Sequence, residues 1–210
     1  MSLPDFYRFE RTTLDFSMRG GSTNSYHIRD RQMDLVAYCL VKGMCITHPT
    51  VFQKTPEDQT AWFHMQAERK ILNRAYFLYE PERSAPFATV TSRGKGLWRI
   101  LDDAERQVCR FVDQSSTGEK VAEAVLGGSP DRYAVLGAER VLARIRMEPR
   151  PDTEPPSQEP GFLKRVFKKF MRPSDWVMAL EPGSVLMDHR ALLAGMILLI
   201  EHTISMAKSN

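Results

Sequence analysis

Polar and apolar residues alternate along most of this chain, and the alternation restarts at near-regular intervals. An aromatic residue opens each run: Tyr26, Trp62, Trp98, Tyr133 and Trp176, spaced by 36, 36, 35 and 43 positions. Alternation with period two marks strands that bury one face. Most opening runs lead through a polar stretch into a second apolar run. Residues 26–28 lead through 29–34 to 35–41, 62–65 through 66–70 to 71–78, 98–101 through 102–106 to 108–112, and 133–136 through 137–139 to 140–146. Short polar turns between such runs predict antiparallel hairpins. A repeat near 36 residues predicts stacked or barrel-forming units, and the period-two pattern is not that of a helical solenoid. Leu14, Phe16 and Met18 alternate ahead of the first hairpin and predict another strand, which Gly20, Gly21 and Ser22 would end in a turn. Apolar Val121, Ala122, Val125 and Leu126 predict a short helix between hairpins.

The end of the chain breaks the pattern. From Ala191 to Ile200 it reads Ala-Leu-Leu-Ala-Gly-Met-Ile-Leu-Leu-Ile, with no polar residue. A helix apolar on all sides belongs in a core or a membrane. Ten residues of helix rise about 15 Å, whereas a bilayer core needs about 20 apolar residues. Asp188, His189 and Arg190 precede the run, and Glu201, His202 and Lys208 follow it. The length predicts a helix over 189–207 sheathed by protein, with a membrane tail anchor as the alternative. Burying its Leu, Ile and Met side chains would stabilise by roughly 1.5–3 kcal/mol each.

Composition adds limits. The chain has 210 residues, 42% hydrophobic, with a net charge of +3. That size fits one large all-β domain or two small ones, and so mild a charge does not argue for bulk nucleic-acid binding. Met1 to Gly20 holds no apolar run of the secretory type. Cys39, Cys45 and Cys109 are odd in number and form no C-x-x-C pair, which fits a reducing, cytoplasmic setting better than a disulfide framework. Nothing in the sequence specifies an oligomeric state.

Two features interrupt the last interval. Residues 149–160 hold five prolines and several charges and predict an extended loop. Residues 162–172 then place Phe162, Val166, Phe167 and Phe170 at helical spacing, with Lys164, Arg165, Lys168, Lys169 and Arg172 on the remaining positions. That is a basic amphipathic helix. Such helices bind anionic membrane surfaces, each basic residue near the surface adding about 1 kcal/mol. Equally, the phenylalanines could pack against the barrel and leave the charges solvated.

Repeated hairpins closed by an apolar helix point to a known group. The chain resembles the tubby C-terminal-like superfamily, which includes tubby proteins, phospholipid scramblases and LURP-one-related proteins. The carriers are the aromatic-x-apolar-x-Asp hairpins, Tyr26-His-Ile-Arg-Asp30 and Trp98-Arg-Ile-Leu-Asp102, and the closing segment Asp188-His-Arg-Ala-Leu-Leu-Ala-Gly-Met-Ile-Leu-Leu-Ile-Glu201. The resemblance covers about Leu14 to Met206. It implies a mostly β protein: a single closed antiparallel β-barrel of about twelve strands around a central apolar C-terminal helix. It does not carry over calcium-activated lipid scrambling, because residues 180–188 hold only Glu181 and Asp188, whereas a calcium site takes six to eight oxygens.

Catalytic chemistry is not legible. The histidines, His27, His48, His64, His189 and His202, lie in no recognised metal-ligand spacing. Ser92-Arg-Gly-Lys-Gly96 lacks the phosphate-loop order and precedes a strand. It predicts a hairpin turn, whose Arg93 and Lys95 could add a second anion-binding surface. Asp102 and Asp103 fit a turn better than an acid–base pair. The expectation is therefore a non-enzymatic, cofactor-free and metal-free binding protein, peripheral to the inner face of the membrane. Its anionic phospholipid surface would be met by Lys164, Arg165, Lys168, Lys169 and Arg172 with Phe162, Phe167 and Phe170. The alternative is a scaffold or regulatory protein that binds another protein or a nucleic acid through the barrel surface.

Overall fold

The computed structural model describes residues 4–17, 21–42, 49–69, 74–92, 98–114, 132–138, 140–150, 174–182 and 188–209. Twelve strands follow one another: β1 (Phe6–Ser17), β2 (Gly21–Arg29), β3 (Leu35–Lys42), β4 (Thr50–Gln53), β5 (Phe63–Arg69), β6 (Arg74–Tyr79), β7 (Ala88–Ser92), β8 (Trp98–Asp102), β9 (Gln107–Asp113), β10 (Tyr133–Leu136), β11 (Val141–Pro149) and β12 (Ser174–Leu180). Each pairs antiparallel with the next, and β1 pairs with β12, so the sheet closes on itself. Closure removes the sheet edges that an open sheet would expose. The helix α1 (His189–Ser209) runs through the middle.

Twelve strands suit this helix. At about 4.8 Å per strand and the usual tilt, the barrel is roughly 24 Å across between backbones. That leaves room for one helix about 10–12 Å wide and the side chains that meet it. Height matches too. A strand of six or seven residues at barrel tilt climbs about 16 Å, close to the rise of the apolar run. Every residue from Ala191 to Ile200 is buried, and those with side chains are at most 3% exposed. The surrounding layer is aromatic and aliphatic: Tyr26, Phe52, Phe63, Leu78, Ile100, Phe111 and Ile145 are fully or almost fully buried. Among the described residues no helix is long and apolar enough to cross a membrane.

Gly195 marks the closest approach. A Cβ added there would lie 2.8 Å from Cε2 and Cζ of Phe111 on β9. Phe111 is itself fully buried, so its ring has nowhere to retreat.

Two hairpins on opposite sides of the barrel are built alike. In the β2–β3 turn, Asp30 Oδ1 accepts the N–H groups of Gln32 and Asp34 at 2.9 Å each. In the β8–β9 turn, Asp102 Oδ1 accepts those of Ala104 at 3.0 Å and Arg106 at 2.8 Å. Met33 (φ 70°) and Glu105 (φ 59°) occupy the left-handed position in each turn. Each pairing also shifts register at its rim end, between Ile28 and Arg29 and between Ile100 and Leu101. The aspartate of the aromatic-x-apolar-x-Asp pattern is therefore the residue that caps the turn.

The closing seam is held by charge. Arg8 on β1 reaches across β12 to Glu148 on β11 (2.8 Å) and approaches Asp175 on β12 (3.6 Å). Arg150 adds a bond to Asp175 (2.8 Å) and Arg146 one to Glu148 (2.7 Å). Arg8 and Asp175 are both buried, so removing either partner would strand a charge away from water.

The structure departs from the expected hairpins in places. Residues 66–70 are predicted as a turn, yet β5 runs on to Arg69 and pairs it with Arg74. Gln66 and Glu68 are exposed, and a strand with one solvated face carries such polar residues without turning. Strands β4 and β7, four and five residues long, have no opening aromatic and were not among the predicted hairpins. The two 36-residue intervals consequently span three strands each, and the 35- and 43-residue intervals two each. The predicted helix around Val121–Leu126, the proline-rich residues 149–160 from position 151 on, and the basic segment 162–172 lie outside the described residues.

Replacing Gly195 with alanine should remove a helix penalty of about 1 kcal/mol but overpack the core by about 1–3 kcal/mol. With Phe111 immobile, overpacking should win and lower the Tm by several degrees in thermal melts. Gly195→Asp, which buries an unpaired charge, should yield no soluble folded protein. A stable, soluble aspartate variant would refute a buried helix.

Candidate functional site: the two rims and the ends of the helix

An antiparallel meander sends its connections alternately to the two ends of the barrel. The first rim receives the sequence between β2 and β3, β4 and β5, β6 and β7, β8 and β9, β10 and β11, and β12 and α1. At the second rim β1, β3, β5, β7, β9 and β11 end and the following strands begin. The helix starts at the first rim, where Tyr7 near the start of β1 bonds His189. It leaves at the second rim, where its Glu201 meets β2 and its His202 meets Trp98 at the start of β8.

Charge divides between these ends. The sequence connecting strands at the first rim carries eleven acidic and five basic residues, and that at the second rim six acidic and twelve basic. The chain's mild net charge therefore conceals opposite charges of equal size on its connections.

Local contacts occupy several first-rim cations. Arg190 bonds Asp188 (2.6 Å) and Glu80 (2.7 Å), and its guanidinium lies 4.1 Å over the Phe87 ring. Arg83 also bonds Glu80 (2.9 Å). The Arg190 bond holds the Glu80 carboxyl below the usual carboxylate range. The Lys54 ammonium sits 3.2 Å over the Trp62 ring, and partial burial together with Arg190 lowers its pKa. Such cation–π pairs add to stability and fix the loops around the helix start.

The helix is tethered at both ends. His189 is buried and bonds the Tyr7 hydroxyl through Nδ1, while its Nε2 has no partner among the described residues. Burial lowers its pKa, against the opposing effect of Asp188. At the exit, the Tyr26 hydroxyl and Asn24 Nδ2 (2.9 Å) donate to Glu201 Oε1. Arg11 donates to Asn24 Oδ1 (2.8 Å) and stands 3.9 Å from Glu201. Burial first, then the Glu201 charge, raises the Tyr26 phenol well above its usual range. Burial likewise raises Cys39, and pushes Cys109 up to about 12. Both cysteines therefore stay thiols at neutral pH, and a thiol is a poor nucleophile.

The predicted lipid-binding residues, Lys164, Arg165, Lys168, Lys169, Arg172, Phe162, Phe167 and Phe170, lie outside the described residues, as do Arg93 and Lys95. The strands that flank them do not. β7 ends at Ser92 and β8 begins at Trp98, while β11 ends at Pro149 and β12 begins at Ser174, all at the second rim. Two basic stretches widely separated in sequence thus join strands at one end of the barrel, a placement that only the strand count reveals. Among the described residues no group of three or more His, Cys, Asp or Glu could hold a metal ion. His27 packs edge-on against Tyr38, and His64 stacks on Tyr79. His48 lies outside the described residues.

No family model matches this chain, and neither the curated proteins nor the solved structures contain a match to it.

The buried His189 sets a pH dependence. Its folded-state pKa lies below the ordinary value of 6.5, so the unfolded chain takes up the proton first. The stability it contributes is complete above pH 6.5 and is lost as pH falls through the lowered value. Thermal melts should show Tm falling as pH drops from 7.5 toward 5, with a shallower fall in His189→Gln. An identical pH profile in that variant would show that the histidine does not set the slope.

Proposed function

We propose that this barrel is a non-enzymatic binding protein that docks on an anionic lipid surface with its second rim. The observation that carries the reading is the division of charge, which gives that end twice as many basic as acidic connecting residues. Lys164, Arg165, Lys168, Lys169 and Arg172 supply the densest cluster, with Phe162, Phe167 and Phe170 to enter the interface, and Arg93 and Lys95 supply a second one. At about 1 kcal/mol per cation near an anionic surface, five cations outweigh the ordering of one short segment. The acidic first rim favours the same orientation, since an anionic surface repels it. In this reading the protein works in the cytoplasm, peripheral to the inner face of the membrane, and groups with the scramblase and LURP-one-related members of the tubby C-terminal-like superfamily.

Co-sedimentation with vesicles tests the proposal. The protein should bind phosphatidylserine-containing vesicles at low salt, bind them less at physiological salt, and ignore neutral phosphatidylcholine vesicles. Reversing Lys168 and Lys169 to glutamate should weaken binding about tenfold or more with an unchanged Tm. Absence of binding at low salt would reject the lipid reading. A large fall in Tm would instead assign the segment to packing against the barrel.

A further inference from the structure

Like charges set directly opposite each other across two strands cost stability. Arg99 on β8 and Arg110 on β9 are such a pair. Both point outward, because Trp98, Ile100, Cys109 and Phe111 beside them are buried in the core. As direct partners their Cβ atoms lie about 5 Å apart. Arg110 is exposed and Arg99 half-buried. Arg8 and Arg29 are opposed in the same way, but each has a carboxylate of its own, Glu148 at 2.8 Å and Glu10 at 2.9 Å. Neither Arg99 nor Arg110 has an ion pair or hydrogen bond among the described residues. The Arg99 Nε–H is shielded from water with no acceptor.

The surroundings offer the two arginines no relief. Thr91 on β7 stands opposite Arg99, and Leu136 on β10 stands opposite Arg110. The next outward residues along the two strands are Leu101 and Val112. None of these neighbours is acidic. The pair therefore sits on a partly apolar patch, which strengthens the field of both charges, with one hydroxyl at its side. Trp98 begins β8 and Asp113 ends β9 at the second rim, so the pair lies on the outer wall just inside that rim. A local conflict with no internal compensation is the mark of a functional position.

We propose that Arg99 and Arg110, with Thr91, form a binding site for a phosphate monoester group. Charge count selects this ligand. A phosphomonoester carries about −1.5 to −2 at neutral pH and balances both guanidiniums, whereas a single carboxylate balances one. Geometry agrees, because the planar fork of arginine takes phosphate oxygens in pairs. Two such forks held about 5 Å apart on paired strands embrace one tetrahedral anion between them. That anion gives the Arg99 Nε–H its missing acceptor and turns the repulsion into a clamp, and the Thr91 hydroxyl adds a donor. A free phosphorylated molecule and a phosphomonoester lipid headgroup present the same group. The site shares no residue with the segment 162–172 and stands independently of the lipid reading.

Titration of the full chain with inorganic phosphate at pH 7.5, against chloride at matched ionic strength, tests the site. Tm should rise saturably, by a few degrees at about ten times the Kd, and the arginine side-chain NMR resonances should shift with the same midpoint. Arg99→Gln and Arg110→Gln should each weaken binding about tenfold or more. Without phosphate neither variant should melt below the parent, since each relieves the repulsion. Arg144→Gln, which gives up a bond to Glu181 elsewhere on the wall, and the Lys168→Glu, Lys169→Glu variant should leave the titration unchanged. A parent Tm indifferent to phosphate, or an equal rise in both arginine variants, would overturn the proposal. Vesicles containing phosphatidic acid separate the two sources. Co-sedimentation lost in the Arg99→Gln, Arg110→Gln double variant would assign the site to a lipid headgroup. Unchanged co-sedimentation, with the phosphate titration intact in the parent, would assign it to a soluble phosphomonoester.

Discussion

The whole molecule depends on one fit: a ten-residue apolar helical run inside a barrel of matching width and height. Far fewer strands would not enclose a helix with its side chains, and many more would leave a gap around it. The run ends where the barrel ends. His189 and Glu201, twelve residues apart and about 18 Å along the helix, take the first polar contacts at each mouth. Where the fit is tightest the helix has no side chain at all, and the Phe111 ring fills the space that a Cβ at Gly195 would need.

Threading the helix also gives the barrel a direction. Strand alternation fixes which connections share an end, and the helix start marks one end as the positive pole of its dipole. In sequence, the segments that join strands at that pole hold an acidic excess and those that join strands at the other a basic one, the sense that a helix dipole favours. Within the acidic rim, Arg190 and Lys54 are drawn into contacts with Phe87, Trp62 and neighbouring carboxylates. Besides holding loops together, Arg190 neutralises part of the excess through Glu80 and Asp188. Which connecting segments share an end is thus a product of the connectivity, and the lipid reading draws on it.

Features local in sequence were legible. The apolar run announced a helix surrounded by protein, and alternation announced hairpins, because burial on one face leaves a period of two. The resemblance supplied the closure and the number of strands, which periodicity alone did not. Features made by distant residues were invisible. The seam joins Arg8 to Glu148, 140 positions away, and Tyr26 reaches Glu201 across 175 positions. No local pattern marks either pair. Short strands such as β4 escaped because four residues hardly establish a period. Of the candidate site, the residue types could be read from the sequence, but their common end of the barrel could not. That placement needs the parity of every strand before them.

The twin hairpins show how a local rule becomes a global one. Tyr26 and Trp98 stand four residues before the two capping aspartates, in strands six apart in the ring and hence on opposite sides of the barrel. Each turn is capped by the same pattern of hydrogen bonds, and each strand shifts register at the same place. From matching starting points the two strands carry their aromatic residues to the same height. There the Tyr26 hydroxyl bonds Glu201, and Trp98 meets the edge of His202. The neighbouring residues Glu201 and His202 point to different sides of the helix, as residues about 100° apart must. The two aspartate turns, set at the rim where the helix enters, thus position the aromatic residues that grip it where it leaves.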